Sequence, residues 1–485
     1  MPKFVLLWTD AAVWLLFAAL LGYVVMVLRR PQLAANWGRV FRDGAALASS
    51  IVLALCLGVT MLDSLHYRPL LPPAPGVAHA EPAYDARVRS LLDLALSRLV
   101  DSREETYSRP LSYLSFTKVS RIVDGQVTRV APRLKYGGAA LTDPQKQWLP
   151  DLARRTLRGL LLGAAVALLL GALWVGVLAR RRGASFAATW GAIRRQETVV
   201  PWHVGLWTLF ALGLIVGPAS QLAGPYHLLG TDTTGNDVLY QALKSIRTAF
   251  VIGSLATVAT LPLAVTLGIL AGYFRGWVDE VIQYLYTVLS SIPNVLLIAA
   301  CVLMVQVFLD KNPDLFDTGA QRADVKLFLL CTVLGVTGWA GLCRLLRGET
   351  MKLRELEYVQ AANAFGVSDA RIMARHIFPN VAHLMLIVTV LDFSSLILYE
   401  AVLSYVGVGV DPSMNSFGGM INLARSEMSR DPVVWWSFAA AFGFMVTLVL
   451  AANLFADGVR DAFDPKSSAA PRRRRALTRR ARKAV

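Results

Sequence analysis

Residues 357 to 380 read EYVQAANAFGVSDARIMARHIFPN, a mostly polar insert between long apolar runs. The pattern predicts two short helices with a tight turn between them. Gly366 can end the first, because a residue without a Cβ takes the left-handed cap conformation at little cost. Ser368 stands where it can cap the second, with Asp369 at that helix's positive end. Pro379 is expected to stop the second helix, since its ring removes a backbone donor and disfavours helical geometry in the residue before it. The insert is therefore expected to form a compact helix-turn-helix between membrane spans.

The chain around it has 485 residues, 55% hydrophobic and 17% charged, with a mean hydropathy of +0.49. Soluble domains carry about a quarter charged residues, so a polytopic membrane protein is favoured. Nine runs, near 11–28, 45–65, 157–178, 204–222, 248–274, 281–309, 327–346, 384–408 and 433–456, are apolar enough to span. Each is close to the ~20 residues that a bilayer-crossing helix needs. Lipid offers backbone groups no partners, so the runs should be helices and the fold class all-α.

The formal net charge of +16 is unevenly spread. Residues 466–485 hold nine Lys or Arg and no acid, which suits a cytoplasmic tail near anionic headgroups. No nucleic-acid-binding module accompanies that tail. The loops holding Arg29, Arg30, Arg39 and Arg42, and Arg180, Arg181, Arg182, Arg194 and Arg195, are the basic ones and should be cytoplasmic. The N-terminus then lies outside, with the C-terminus and residues 357–380 inside. Cys56, Cys301, Cys331 and Cys343 all fall in expected spans without CxxC spacing, which indicates neither a disulfide framework nor a zinc site.

Residues 1–65 form a two-span extension, the first run being a retained span because Arg29, Arg30 and Pro31 follow it where a cleavage site would be small. Residues 66–156 are polar, open with Pro69, Pro72, Pro73, Pro75 and Pro82, and are expected to fold as a small external α+β domain. Within it, Asp85 to Val100 has the apolar spacing of an amphipathic helix, and Asp124-Gly125 suits a hairpin turn. Residues 157–203 hold the third span and a cytoplasmic loop, 204–466 a core, and 467–485 the basic tail.

At 357–380 the chain resembles the EAA loop of binding-protein-dependent ABC importer permeases. Gln360, Ala361 and Ala362 hold the Glu-Ala-Ala positions, Gly366 the glycine, and His376, Pro379 and Asn380 close the motif. Gln360 departs from the family's Glu but keeps its length and one carbonyl acceptor. HLLGTDTTGNDVL, residues 227–239, resembles the HPLGTDxxGRDVL signature of the C-type peptide permeases, with Leu228 in place of Pro and Asn236 in place of Arg. Gly230 and Gly235 allow tight turns there, and Thr231, Asp232 and Asp237 complete a small outward loop.

LAGYFRGWVDE at 270–280, LILYEAVLSYVGVGVDPSMNSFGGMI at 396–421 and NLFADGVRDAFDPK at 453–466 follow the same family in order. Pro293 and Asn294, beside Ser290 and Ser291, interrupt a run in the manner of the family's FPS motif and are pathway candidates. Glu400, an acid inside a span, is another, or an interhelical hydrogen-bonding group.

The resemblance implies a six-helix permease core, here with three extra spans, in a bacterial inner membrane. It implies a second, B-type permease, two cytoplasmic ATPases that bind ATP-Mg and dock on residues 357–380, and an extracytoplasmic solute-binding protein. The chain has no Walker A pattern and no HExxH, GxSxG or paired CxxC, so no catalytic residue, metal site or bound cofactor is expected. The solute would be a di- or oligopeptide or a similar molecule. Alternatives are an importer of a non-peptide solute such as nickel, or a membrane-anchored enzyme or assembly factor acting through residues 66–156.

Overall fold

The computed structural model describes residues 3–70, 84–85, 87–123, 126–316 and 318–463. Pro72, Pro73, Pro75, Pro82, the Asp124-Gly125 turn and the basic tail lie outside them. A short strand, β1 (Lys3–Val5), leads into α1 (Trp8–Arg29), and Pro31 opens α2 (Pro31–Val40). α3 (Gly44–Asp63) starts at Asp43, whose carboxylate accepts from the Ala46 N–H at 3.1 Å. β2 (His66–Arg68) and β3 (Arg89–Ser90) join β1 in an antiparallel sheet ordered β1-β2-β3, with Lys3 opposite Arg68 and His66 opposite Ser90.

The amphipathic helix expected over Asp85 to Val100 is instead β3 followed by two turns of helix, α4 (Leu91–Ala95) and α5 (Ser97–Asp101). The cause is local: Ser90 and Asp93 form a reciprocal capping box, which fixes the helix start at Leu91. β4 (Val119–Val123) and β5 (Gln126–Val130) pair as a hairpin, Val119 opposite Val130.

α6 (Pro144–Arg182) then runs for 39 residues, well beyond the apolar run at 157–178, and ends at Gly183 in left-handed geometry. After α7 (Phe186–Arg194) it is met by α8 (Trp202–Leu222). These two helices touch backbone to backbone: a Cβ on Gly163 would fall 2.0 Å from the Gly213 carbonyl oxygen, and one on Gly217 2.2 Å from that of Gly159. Small residues permit such approach, which is how helices gain packing in lipid without a hydrophobic driving force.

α9 (Val238–Phe274) is the axis of the bundle, surrounded by α3, α10 (Gly276–Ser291), α12 (Gly319–Gly338), α13 (Ala340–Arg354) and α16 (Phe378–Val406). α11 (Asn294–Lys311) packs on α12, and α18 (Trp436–Phe463) on α3, α16 and α17 (Phe417–Met428). α14 (Glu357–Ala364) and α15 (Asp369–Ile372) form the insert between α13 and α16. α3, from the two-span extension, thus lies against α9 and α18, whereas α8 packs chiefly on α6 and α3.

By length and composition eight described helices can cross a membrane, or nine when α12 and α13, bent by 41°, count as one span. The single span expected at 281–309 is broken at Ile292 and Pro293 into α10 and α11, and α11 alone has spanning character. Ile292 is extended there, as the residue before a proline tends to be.

Candidate coupling and translocation sites

The insert is held by three side chains with no exposed surface, Val359, Ile372 and Ile377, which enter a cluster with Ala271, Tyr273, Cys343 and Leu346. Polar ties reinforce it. Tyr273 Oη donates to Asp369 Oδ1 at 2.7 Å and lies 3.2 Å from Asn363 Oδ1, while Arg354 Nη1 donates to the Tyr273 carbonyl at 2.6 Å. Nearby, Arg347 grips Asp279 through Nε at 2.5 Å and Nη2 at 2.7 Å, and this two-pronged hydrogen bond holds the Asp279 carboxyl below its ordinary range.

Gly366 takes φ +73°, as a left-handed helix end requires. Ser368 sits at the expected N-cap of α15 with an extended backbone, but its side chain makes no capping bond there. Pro379 does not stop the second helix. A π turn, Met373–Ile377, joins α15 to α16, with the Phe378 N–H bonded five residues back to the Met373 carbonyl, and Pro379 is accommodated just after this wider turn, at the start of α16. Asn380 Nδ2 donates to the His376 carbonyl at 2.6 Å and to Tyr358 Oη at 3.2 Å.

The remaining surface of the insert is open. Gln360 and Ala361 are exposed, Ala362 is half-buried against the internal cluster, and Phe365 is 86% exposed. Phe365 was not singled out from the sequence, although an aromatic residue next to the turn glycine of a polar insert is the visible signal. The tip of this otherwise polar insert is therefore apolar and open.

At the sheet-bearing end, the loop 227–237 is built inward. Gly230 and Gly235 have φ +76° and +77°, and a Cβ on Gly235 would lie 1.8 Å from the Glu104 carbonyl oxygen. Thr231 Oγ1 accepts from the Ser108 N–H at 2.6 Å and donates to the Thr106 carbonyl at 2.8 Å, and Trp436 Nε1 donates to the Thr231 carbonyl at 2.9 Å. Asp232 Oδ1 accepts from the Thr234 and Asn236 N–H groups, and Asp237 Oδ1 caps α9.

His227 completes the joint, with Nδ1 2.8 Å from Asp237 and Nε2 3.3 Å from Glu104, all three buried. Burial works against a charged ring, but the bonds to Asp237 and Glu104 outweigh it and carry the His227 pKa up to about 9. Burial likewise opposes ionisation of Glu104, yet His227 and the N–H groups of Gly137, Tyr136 and Lys135 pull its pKa down to about 2. The loop therefore serves as a docking plate for residues 104–137.

A second buried ionic group ties α1, α3, α9 and α12 together. Arg247 Nη2 donates to Asp10 Oδ1 at 2.5 Å and Thr9 Oγ1 at 2.9 Å, the Thr9 N–H donates to Asp324 at 3.0 Å, and His66 Nδ1 is 2.7 Å from Asp10. Lys244 reaches Asp93 at 2.8 Å and Asp63 at 3.1 Å, beside a polar cavity of about 510 Å³. Among the described residues, no group of three or more His, Cys, Asp or Glu is placed to hold a metal ion.

Of the pathway candidates, Pro293 and Asn294 are exposed together with Ser290, Ser291 and Ile292. Glu400 is placed differently. It is 1% exposed, takes a 2.6 Å hydrogen bond from Ser404, and is further bonded by the Ser416 hydroxyl and the Gly418 N–H. Its carboxylate is spent on joining α16 to the start of α17 and is sealed from the open face.

The family described as binding-protein-dependent transport system inner membrane component matches residues 264–469. The chain is 33% identical over 247 residues to a Mycobacterium tuberculosis protein named oligopeptide transport system permease protein OppC, covering 51% of this chain and 78% of that one. It is 32% identical over 250 residues to the glutathione transport system permease protein GsiD of Pectobacterium atrosepticum, covering 52% and 74%. To the dipeptide transport system permease protein DppC of Alkalihalophilus pseudofirmus it is 30% identical over 251 residues, covering 51% and 76%.

Proposed function

The chain belongs to the family of binding-protein-dependent transport system inner membrane components, and we infer that it is the permease subunit of an ATP-driven importer for peptides or peptide-like solutes. The observation that carries this is the 357–380 insert, anchored through Val359, Ile372 and Ile377 and presenting Phe365 outward. In this reading two cytoplasmic ATPases, which hold the ATP-Mg, dock on that surface. Their closure moves α14 and α15 as a braced unit, and α13 and α16, continuous with it, switch access to a pathway.

The pathway lies against a second permease, on the face where the break between α10 and α11 is exposed. Non-helical backbone at membrane depth is tolerated where it meets protein or water, not lipid. The membrane is the bacterial inner membrane, with the sheet-bearing end outside and the insert inside, as the basic loops favour. Residues 66–156 then face the solute-binding protein or brace the transporter.

Co-purification from membranes with the candidate ATPases and second permease, followed by ATP hydrolysis with and without loaded binding protein, tests the reading. Turnover that rises with binding protein and peptide supports it. A chain that purifies alone and recruits no ATPase overturns it.

A further inference from the structure

Asp392 stands halfway along α16 (Phe378–Val406), roughly 21 Å from either end at 1.5 Å per residue. In a hydrocarbon core of about 30 Å that is near the midplane. The side chain is half-buried and makes no hydrogen bond or ion pair among the described residues. Glu400, on the same helix, has three such bonds and is sealed inside. A midplane carboxylate is costly and is kept where it faces a polar cavity or a partner charge.

Its direction is set by its neighbours. Leu396 and Tyr399, four and seven residues on, share its side of the helix by the 3.6-residue period. Both pack into the cluster that contains Val295 and Ile298 of α11. Asp392 therefore lies on the side of α16 that carries this cluster, which residues of α9 and α12 share with the start of α11; at that start Ser290, Ser291 and Asn294 are exposed. Ser395, one turn away, is exposed as well.

We propose that Asp392 lines the translocation pathway and binds the ammonium group of a cationic solute as it passes the midplane. This rests on the importer reading above. The polar break supplies hydrogen-bonding groups for an uncharged backbone, and Asp392 supplies an unmatched negative charge at the depth of the midplane. A lysine-rich peptide is favoured there and a glutamate-rich one is repelled. A pairing with a cation on the second permease is the competing use of the same carboxylate.

The test uses the complete importer in proteoliposomes, with ATP and binding protein, and measures uptake of tri-lysine and tri-glutamate. Asp392→Asn should lower the lysine-to-glutamate uptake ratio at least tenfold, and Asp392→Glu should keep the wild-type ratio. Because a ratio is read within each variant, partial loss of folded protein does not imitate the effect. An unchanged ratio in Asp392→Asn overturns the proposal. So does loss of the second permease on purification without a change in ratio, which would assign the charge to an intersubunit pair. If the wild-type importer takes up neither peptide, this proposal fails, whereas the importer reading stands or falls on recruitment of the ATPases.

Discussion

Tyr273 Oη donates a 2.7 Å hydrogen bond to Asp369 Oδ1, so the last turn of α9, the bundle's axis, is fastened directly to the first residue of α15. Removing the hydroxyl in Tyr273→Phe leaves the buried ring in place and costs about 1 kcal/mol of local stability. Motion of the insert should then reach α9 less faithfully. The expected outcome is a several-fold fall in peptide imported per ATP hydrolysed, with the complex still assembled, measured in proteoliposomes. Unchanged stoichiometry would show that the bond transmits nothing.

Phe365, at 86% exposure, contributes little to the fold of the free chain. Phe365→Ala should shift thermal stability by less than about 0.5 kcal/mol, as surface changes do. As an aromatic anchor in a docking surface it is worth about 2 kcal/mol or more, which corresponds to a loss of roughly thirtyfold in ATPase affinity. Titration of purified ATPase onto the detergent-solubilised permease reads both numbers.

The joint between residues 104–137 and the loop 227–237 depends on pH through His227 and Glu104. His227 has a raised pKa of about 9, so its contribution is complete below the unfolded value of 6.5 and disappears as pH climbs through 9. Glu104 is depressed to about 2, so its contribution is complete above 4.5 and disappears as pH falls toward 2. Protection of residues 104–137 in hydrogen exchange should be greatest between those unfolded values and decline from pH 6.5 to 9. His227→Gln should flatten the alkaline decline; a decline of equal size in that variant would count against the assignment.

Arg247 is 3% exposed and is the cation nearest Asp10 and Asp324. Arg247→Leu leaves those carboxylates buried without it and should destabilise the protein by about 3–5 kcal/mol. Adding Asp10→Asn should recover part of the loss, since the uncompensated charge and not the lost volume is the main cost. Thermal unfolding of the two variants side by side separates these contributions.

The apolar runs were legible because a bilayer imposes length and composition on each helix independently of its neighbours. The 357–380 insert was legible for a similar reason: Gly366 and the polar flanks act locally. The division at Ile292 and Pro293 was only half visible. The proline marked a disturbance, but α10 is amphipathic, and its apolar stripe averaged with α11 into one seemingly continuous run. Thr9, Asp10, Arg247 and Asp324 are single polar residues far apart in the chain, and only tertiary packing makes a network of them. Asp392 is plain in the sequence as an acid in an apolar run, but no motif surrounds it, whereas Glu400, eight residues on, lies inside a recognisable one.

The pairing of Lys3–Val5 with His66–Arg68 sets an order of events in biosynthesis. The first strand leaves the ribosome before either of its sheet partners exists, and α1, α2 and α3 must all follow before β2 arrives at the same end of the bundle. Until then Phe4, still 74% exposed in the finished fold, belongs to an unpaired edge. The N-terminal strand is thus made early and latched late, and the latch closes only when the helices between the two strands are in place. Because β1 and β2 can pair only at one end of the bundle, the three-stranded sheet fixes α1 and α3 as helices that run in opposite directions.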